Sequence, residues 1–243
     1  MTKQLLFYEN AVPVNSERHR SWCLEQQGDY AYTSQSNVVP LTAVEFPFAA
    51  MEYSIVFVGT EEAPTPVVLL GVKPEENLYL EDGHRWKARY IPAFVRRYPF
   101  VFSQGAEANS YTLCIDESYG GWNQQGRGQA LFDGEGKGSE FLEGMMKFVT
   151  DYQREIARTS AFCERLKQLD LLDAMSARFK LPNGEDAEVK GFMAVSREKL
   201  IQLPGDTLVE LAGNGMLELI YAQLLSMRHF GELIGSLQGE HSS

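Results

Sequence analysis

An apolar stripe that starts after Ser139 and continues to about Leu169 constrains this chain more than any other feature. Leu142, Met145, Val149, Tyr152, Ile156, Cys163 and Leu166 recur mostly at spacings of three and four, which is one face of a helix. Ser139 suits an N-cap, and Glu140 and Glu143 suit the positive end of the helix dipole. A helix this long divides the chain into two parts that read differently.

Upstream, the pattern is that of strands. Residues 53–59 are rich in β-branched and aromatic residues and end at Gly59, residues 60–66 form an acidic, Pro-containing turn, and residues 67–72 are again apolar. Further short strands are expected at 77–80, 98–103, 110–116 and 129–133, with one helical turn started by Pro92. Glycines crowd residues 118–139, as loops and tight turns do. Downstream, Asn183-Gly184 marks a two-residue hairpin between 178–181 and 187–195. Ser196 caps a helix at 197–203, Asp206 caps another, and a last helix covers 216–233. The expected class is α+β: a β-rich antiparallel part at 1–138 packed with a mainly helical part at 139–243 that holds one embedded hairpin. Together they make a single domain of 243 residues.

Composition narrows the function. With 22 Lys and Arg against 33 Asp and Glu, the net charge of −11 argues against nucleic acid as a partner, because phosphates are repelled over most of the surface. No segment approaches the ~20 apolar residues of a transmembrane helix. Leu5–Tyr8 falls short of the ~7–15 apolar residues of a secretory signal. Cys23, Cys114 and Cys163 are far apart and unpaired in sequence, which points to reduced, buried thiols and a soluble protein of the cytoplasm. His19, His84, His229 and His241 are scattered, and no zinc, phosphate-loop, dinucleotide or nucleophile-elbow motif occurs, so neither metal nor cofactor is expected.

The charge is unevenly spread. Residues 84–106 carry Arg85, Lys87, Arg89, Arg96 and Arg97 and no carboxylate, interleaved with Trp86, Tyr90, Phe94, Tyr98 and Phe100. On a strand, Arg85, Lys87 and Arg89 share one face and Trp86 and Tyr90 the other. One reading is an anion- or partner-binding surface built on Arg85, Trp86, Arg89, Tyr90, Arg96 and Arg97, since guanidinium forks suit carboxylates and phosphates. The other is that these cations pair internally with the surplus carboxylates. His84, Asp116 and Glu117 are the alternative acid–base candidates, although adjacent residues such as Asp116 and Glu117 point to opposite sides of a strand. The 216–233 helix carries too many apolar residues for one narrow stripe, so it is either central to the core or a surface for a homo-oligomer.

The chain resembles the SapC family of bacterial proteins in four stretches taken together. They are Tyr53–Val58 with Leu70-Gly71; Gly83-His84-Arg85-Trp86 through Tyr90-Ile91-Pro92-Ala93 to Arg96-Arg97-Tyr98-Pro99-Phe100; Leu113-Cys114-Ile115-Asp116 with Ala130-Leu131-Phe132-Asp133; and Gly215-Met216-Leu217 with Ile220–Met227. His84 departs from the pattern, in which the glycine and tryptophan stand closer. The family name comes from a protein of a bacterial surface layer that confers serum resistance, so the resemblance implies surface-layer association as the alternative to the cytoplasm, and that alternative would need a signal-independent export route. The resemblance also implies neighbours of halogenase-like and TonB-dependent-receptor genes, and it carries no catalytic residues over to this chain. A peptide-transporter permease shares the name, but a chain without spans is no permease. The favoured expectation is a non-enzymatic accessory protein that engages an anionic or peptide partner. The alternative is an enzyme or enzyme partner acting on peptides or small molecules.

Overall fold

The computed structural model describes residues 6–25, 28–104, 111–180, 184 and 186–238. Its largest sheet has five antiparallel strands in the order Leu172–Lys180, Asp186–Val195, Ile55–Thr60, Ala63–Leu69 and Val38–Pro40. The C-terminal hairpin is therefore part of the N-terminal sheet, through Phe192 opposite Val58 and Met193 opposite Phe57. Its register slips between Met175 and Ser176, opposite Gly191, whose φ of 83° is the left-handed conformation that a bulge asks of glycine. The expected turn residue Asn183 lies outside the described residues.

Both faces of this sheet are covered, which is why residues 55–58 are apolar without alternation. Ile55, Phe57 and Val68 pack in one buried cluster with Phe162 and Leu166 of the long helix and with Ile220. Val56, Val67 and Phe192 pack on the other side with Phe230 and Leu233. The long helix runs Glu140–Gln168, and the Ser139 side chain accepts the Leu142 amide as its cap.

The structure corrects three local expectations. Residues 63–66 are strand rather than turn, despite Pro64 and Pro66. The Leu69 amide bonds Ser54 on one side, while Pro66 offers its carbonyl to Leu41 on the other, so period two turns both prolines away from the Ile55–Thr60 ladder. The last helix is two, Met216–Ser226 and Arg228–Gln238. It breaks where Ser226 turns to the sheet: its hydroxyl accepts the Ile55 amide (3.0 Å) and its carbonyl accepts the Ser54 hydroxyl (3.4 Å). Gly205–Gly213 starts after Pro204, so Asp206 sits in the first turn and does not cap.

A second sheet places Tyr111–Asp116 between Ala11–Pro13 and Phe100–Gln104. A third is short, with Cys23–Leu24 between Trp122–Asn123 and Gln129–Ala130. Leu80–Glu81 pairs with Arg85–Trp86 in a separate ribbon, so the 77–80 strand shrinks to its last residue and the basic segment never forms the continuous strand its alternation needed.

Candidate functional site

The basic segment is dismembered by the fold. Arg85 is exposed and faces Glu81 (3.0 Å) and Asp82 (2.9 Å), so its charge is met locally. Trp86 is an anchor: its indole N–H donates to the Tyr53 hydroxyl (2.7 Å), which donates in turn to the Tyr90 carbonyl. Arg97 is 1% exposed, with its guanidinium over the rings of Phe94 (4.3 Å) and Tyr152 (5.0 Å). A residue so placed is part of the core rather than of a contact surface.

Arg89, Tyr90 and Arg96 remain near the surface, the first two held by carboxylates and Arg96 by its Nε bond to the Ile91 carbonyl (2.8 Å). Glu52 accepts the amides of Arg89 (2.7 Å) and Tyr90 (2.9 Å). Glu45, 3% exposed, accepts the Thr42 amide and hydroxyl, the Tyr90 hydroxyl and the Ala93 amide, all at 2.7–2.8 Å. The surplus carboxylates therefore serve backbone donors as well as cations, which satisfies groups whose burial unpaired costs about 1–3 kcal/mol each. Among the described residues no carboxylate lies within 4 Å of the side-chain nitrogens of Lys87, Arg89 or Arg96.

Beside them is an apolar stripe. Ala43–Glu45 and Phe46–Ala49 form successive helical turns, with Phe46 and Ala49 buried and Val44, Phe48 and Met51 54%, 59% and 68% exposed. These three stand at i, i+4 and i+7, one helical face. Phe48 stacks on Tyr90 at 5.7 Å, and Arg96 lies over the same Tyr90 ring at 5.8 Å. Because Phe46 and Ala49 face inward while Phe48 and Met51 face outward, the run from Phe46 to Met51 looks wholly apolar in sequence. Only the periodicity of 44, 48 and 51 could have singled out the outward face.

The acid–base candidates do not converge. His84 is exposed, with Nδ1 3.0 Å from the Asp82 carbonyl and no contact to Asp116 or Glu117. Glu117 is joined to Arg18 (2.5 Å) and to the buried His19 (2.8 Å). The Asn15 amide donates to His19 Nδ1 (3.0 Å), so Nε2 carries the proton given to Glu117.

Asp116 is fully buried and acts as an acceptor hub. Its oxygens take the amides of Glu9 (2.9 Å), Asn10 (3.0 Å) and Ser118 (3.0 Å) and the Tyr98 hydroxyl (3.3 Å). Three of those four partners, Glu9, Tyr98 and Ser118, line a cleft of about 350 Å³ completed by Phe7, Asp29, Tyr32, Tyr119 and Gly121. Nothing in the sequence assembles these residues, which come from four separate segments. Among the described residues no group of three or more His, Cys, Asp or Glu is placed to hold a metal ion, and no helix is long and apolar enough to cross a membrane.

Antiparallel sheets packed with one long helix and a C-terminal helical part define an α+β protein with an aromatic cleft and an exposed apolar stripe. A family model described as SapC matches residues 14–233, and the chain belongs to the SapC family. No curated protein and no solved structure matches it.

Proposed function

We propose that the protein is a non-enzymatic accessory protein that captures an acidic, partly apolar segment of a partner protein on the face formed by Val44, Phe48, Met51, Tyr90 and Arg96. The observation that carries this reading is the stripe itself: three large apolar side chains, each more than half exposed, run into a ring and a guanidinium that stack in sequence. Single exposed apolar residues are ordinary, whereas a contiguous set with an adjoining charge is what a recognition surface presents. The unpaired cations Arg89 and Arg96 supply the charge complement, so of the two expected partners the acidic peptide is favoured. The three cysteines, all free and buried, accord with action in a reducing compartment.

A photo-crosslinking residue at position 48, used in the native cell, tests this reading. The expected result is a crosslink to an acid-rich segment of one protein, lost in Arg96→Glu and Met51→Ser and weakened by salt, but retained in Arg85→Gln. A crosslinked segment without acidic residues, or one indifferent to Arg96→Glu, overturns it.

A further inference from the structure

We infer that the cleft above Asp116 is a binding site for an organic cation: the guanidinium or ammonium group of a small molecule or of a basic peptide side chain. The cleft shares no residue with the Phe48 surface, and the inference is independent of that reading.

Aromatic rings make up much of the cleft lining. Tyr32 and Tyr98 lie 4.3 Å apart, Tyr119 is edge-on to Tyr98 at 5.2 Å, and Phe7 is edge-on to Tyr32 at 5.3 Å. Two of the hydroxyls are committed inward, Tyr32 to the Val95 carbonyl (3.1 Å) and Tyr98 to Asp116, so these rings are held in place from behind. Ring faces carry negative quadrupole potential and attract cations within about 6 Å.

Charge selects the sign of the ligand. Glu9 and Asp29 line the cleft, no Lys, Arg or His lines it, and neither carboxylate has an ion-pair partner among the described residues. An anion placed here would meet two carboxylates and no cation. An organic cation would meet two carboxylates and four rings. A strongly hydrated metal ion fits less well, because rings offer no oxygen ligands.

Shape selects the size. A volume of about 350 Å³ is at the lower end of the roughly 300–1,000 Å³ of small-molecule sites. Gly121 maintains it: a Cβ there would run into the Tyr119 ring and come within 2.8 Å of the Glu25 carbonyl oxygen, so only glycine lets Tyr119 sit where it does. The glycine-rich segment, which matches no phosphate loop, is in this respect a ring support.

The test is isothermal titration of the full-length protein with N-acetyl-arginine methylamide, its neutral citrulline counterpart, benzyltrimethylammonium and the tripeptide Gly-Arg-Gly. The arginine amide and benzyltrimethylammonium are expected to bind saturably, and the citrulline analogue at least about tenfold more weakly, as the loss of cation–π and carboxylate attraction requires. Tyr119→Leu and Asp29→Asn, both at partly exposed positions, should each weaken the cation while the protein keeps a single cooperative unfolding transition. Tighter binding of the tripeptide than of benzyltrimethylammonium assigns the site to a peptide side chain, and the reverse to a free cation. Equal binding of citrulline and arginine analogues, indifference to both substitutions, or no saturable binding of either cation by the folded protein overturns the inference.

Discussion

Asp116→Asn isolates the carboxylate hub, because it keeps the shape of the side chain and replaces one oxygen with a donor. One oxygen receives the Asn10 and Ser118 amides, and the other the Glu9 amide and the Tyr98 hydroxyl. The new amide group must therefore face two donors in either orientation. It will settle opposite Glu9 and Tyr98, since the tyrosine hydroxyl can rotate and accept, leaving the Glu9 N–H orphaned. That orphan costs about 1–3 kcal/mol, and the two bonds that remain lose about 1 kcal/mol each when their acceptor is no longer charged. Against this, a neutral amide is cheaper to bury than a carboxylate. The net expectation is a loss of roughly 3 kcal/mol. For a chain of this length that lowers the melting temperature by about 6–12 °C. Urea unfolding and calorimetry measure it, and amide hydrogen exchange locates it: Glu9 and Asn10 should exchange faster than the Val67–Leu69 strand, which is remote from the hub. A loss below about 1 kcal/mol, or an increase in exchange spread evenly over the molecule, would refute the assignment of these donors to Asp116.

Neighbouring arginines should behave oppositely. Arg97→Glu places an acid among Phe94, Tyr152 and Tyr8 and should cost several kcal/mol, whereas Arg96→Glu at the exposed neighbour should stay within about 0.5 kcal/mol, both read from urea midpoints. Alkali should destabilise the fold. Burial pushes the Cys163 thiol up to about 12 and raises Tyr8, Tyr32, Tyr53 and Tyr152 above their ordinary value. Above about pH 9 the unfolded chain then holds fewer protons than the native one, so stability falls as pH rises, by up to about 1.4 kcal/mol per pH unit for each such group. Urea unfolding at pH 8, 9 and 10 checks this, and a flat profile contradicts it.

Local signals survived the passage to structure where their physics is local. The Ser139 cap and the stripe behind it became Glu140–Gln168 with the expected cap bond. The strand runs became Ile55–Thr60 and Tyr111–Asp116, and the two strands expected to flank the hairpin, Leu172–Lys180 and Asp186–Val195, pair with each other. Local signals failed where a distant partner decides. A turn was expected at Pro64 and Pro66, but the ladder with Ile55–Thr60 spares both prolines a donor role. One helix was expected at 216–233, but Ser226 is claimed by Ser54 and Ile55, more than 170 positions earlier.

The candidate site divides in the same way. From sequence alone came the α+β class, the long helix, the family and the concentration of cations at 84–106. Their fates were decided by the tertiary structure: Arg97 enters the core, Arg85 is neutralised by the turn beside it, and Arg96 stays exposed over the Tyr90 ring with its Nε donating to the Ile91 carbonyl (2.8 Å). Asp116 turns from an acid–base candidate into the acceptor that holds three cleft residues. Charge is a property of a residue and can be counted along a chain. What a charge does depends on burial and on the donors and acceptors within about 4 Å, and here those arrive from segments as much as 107 positions away.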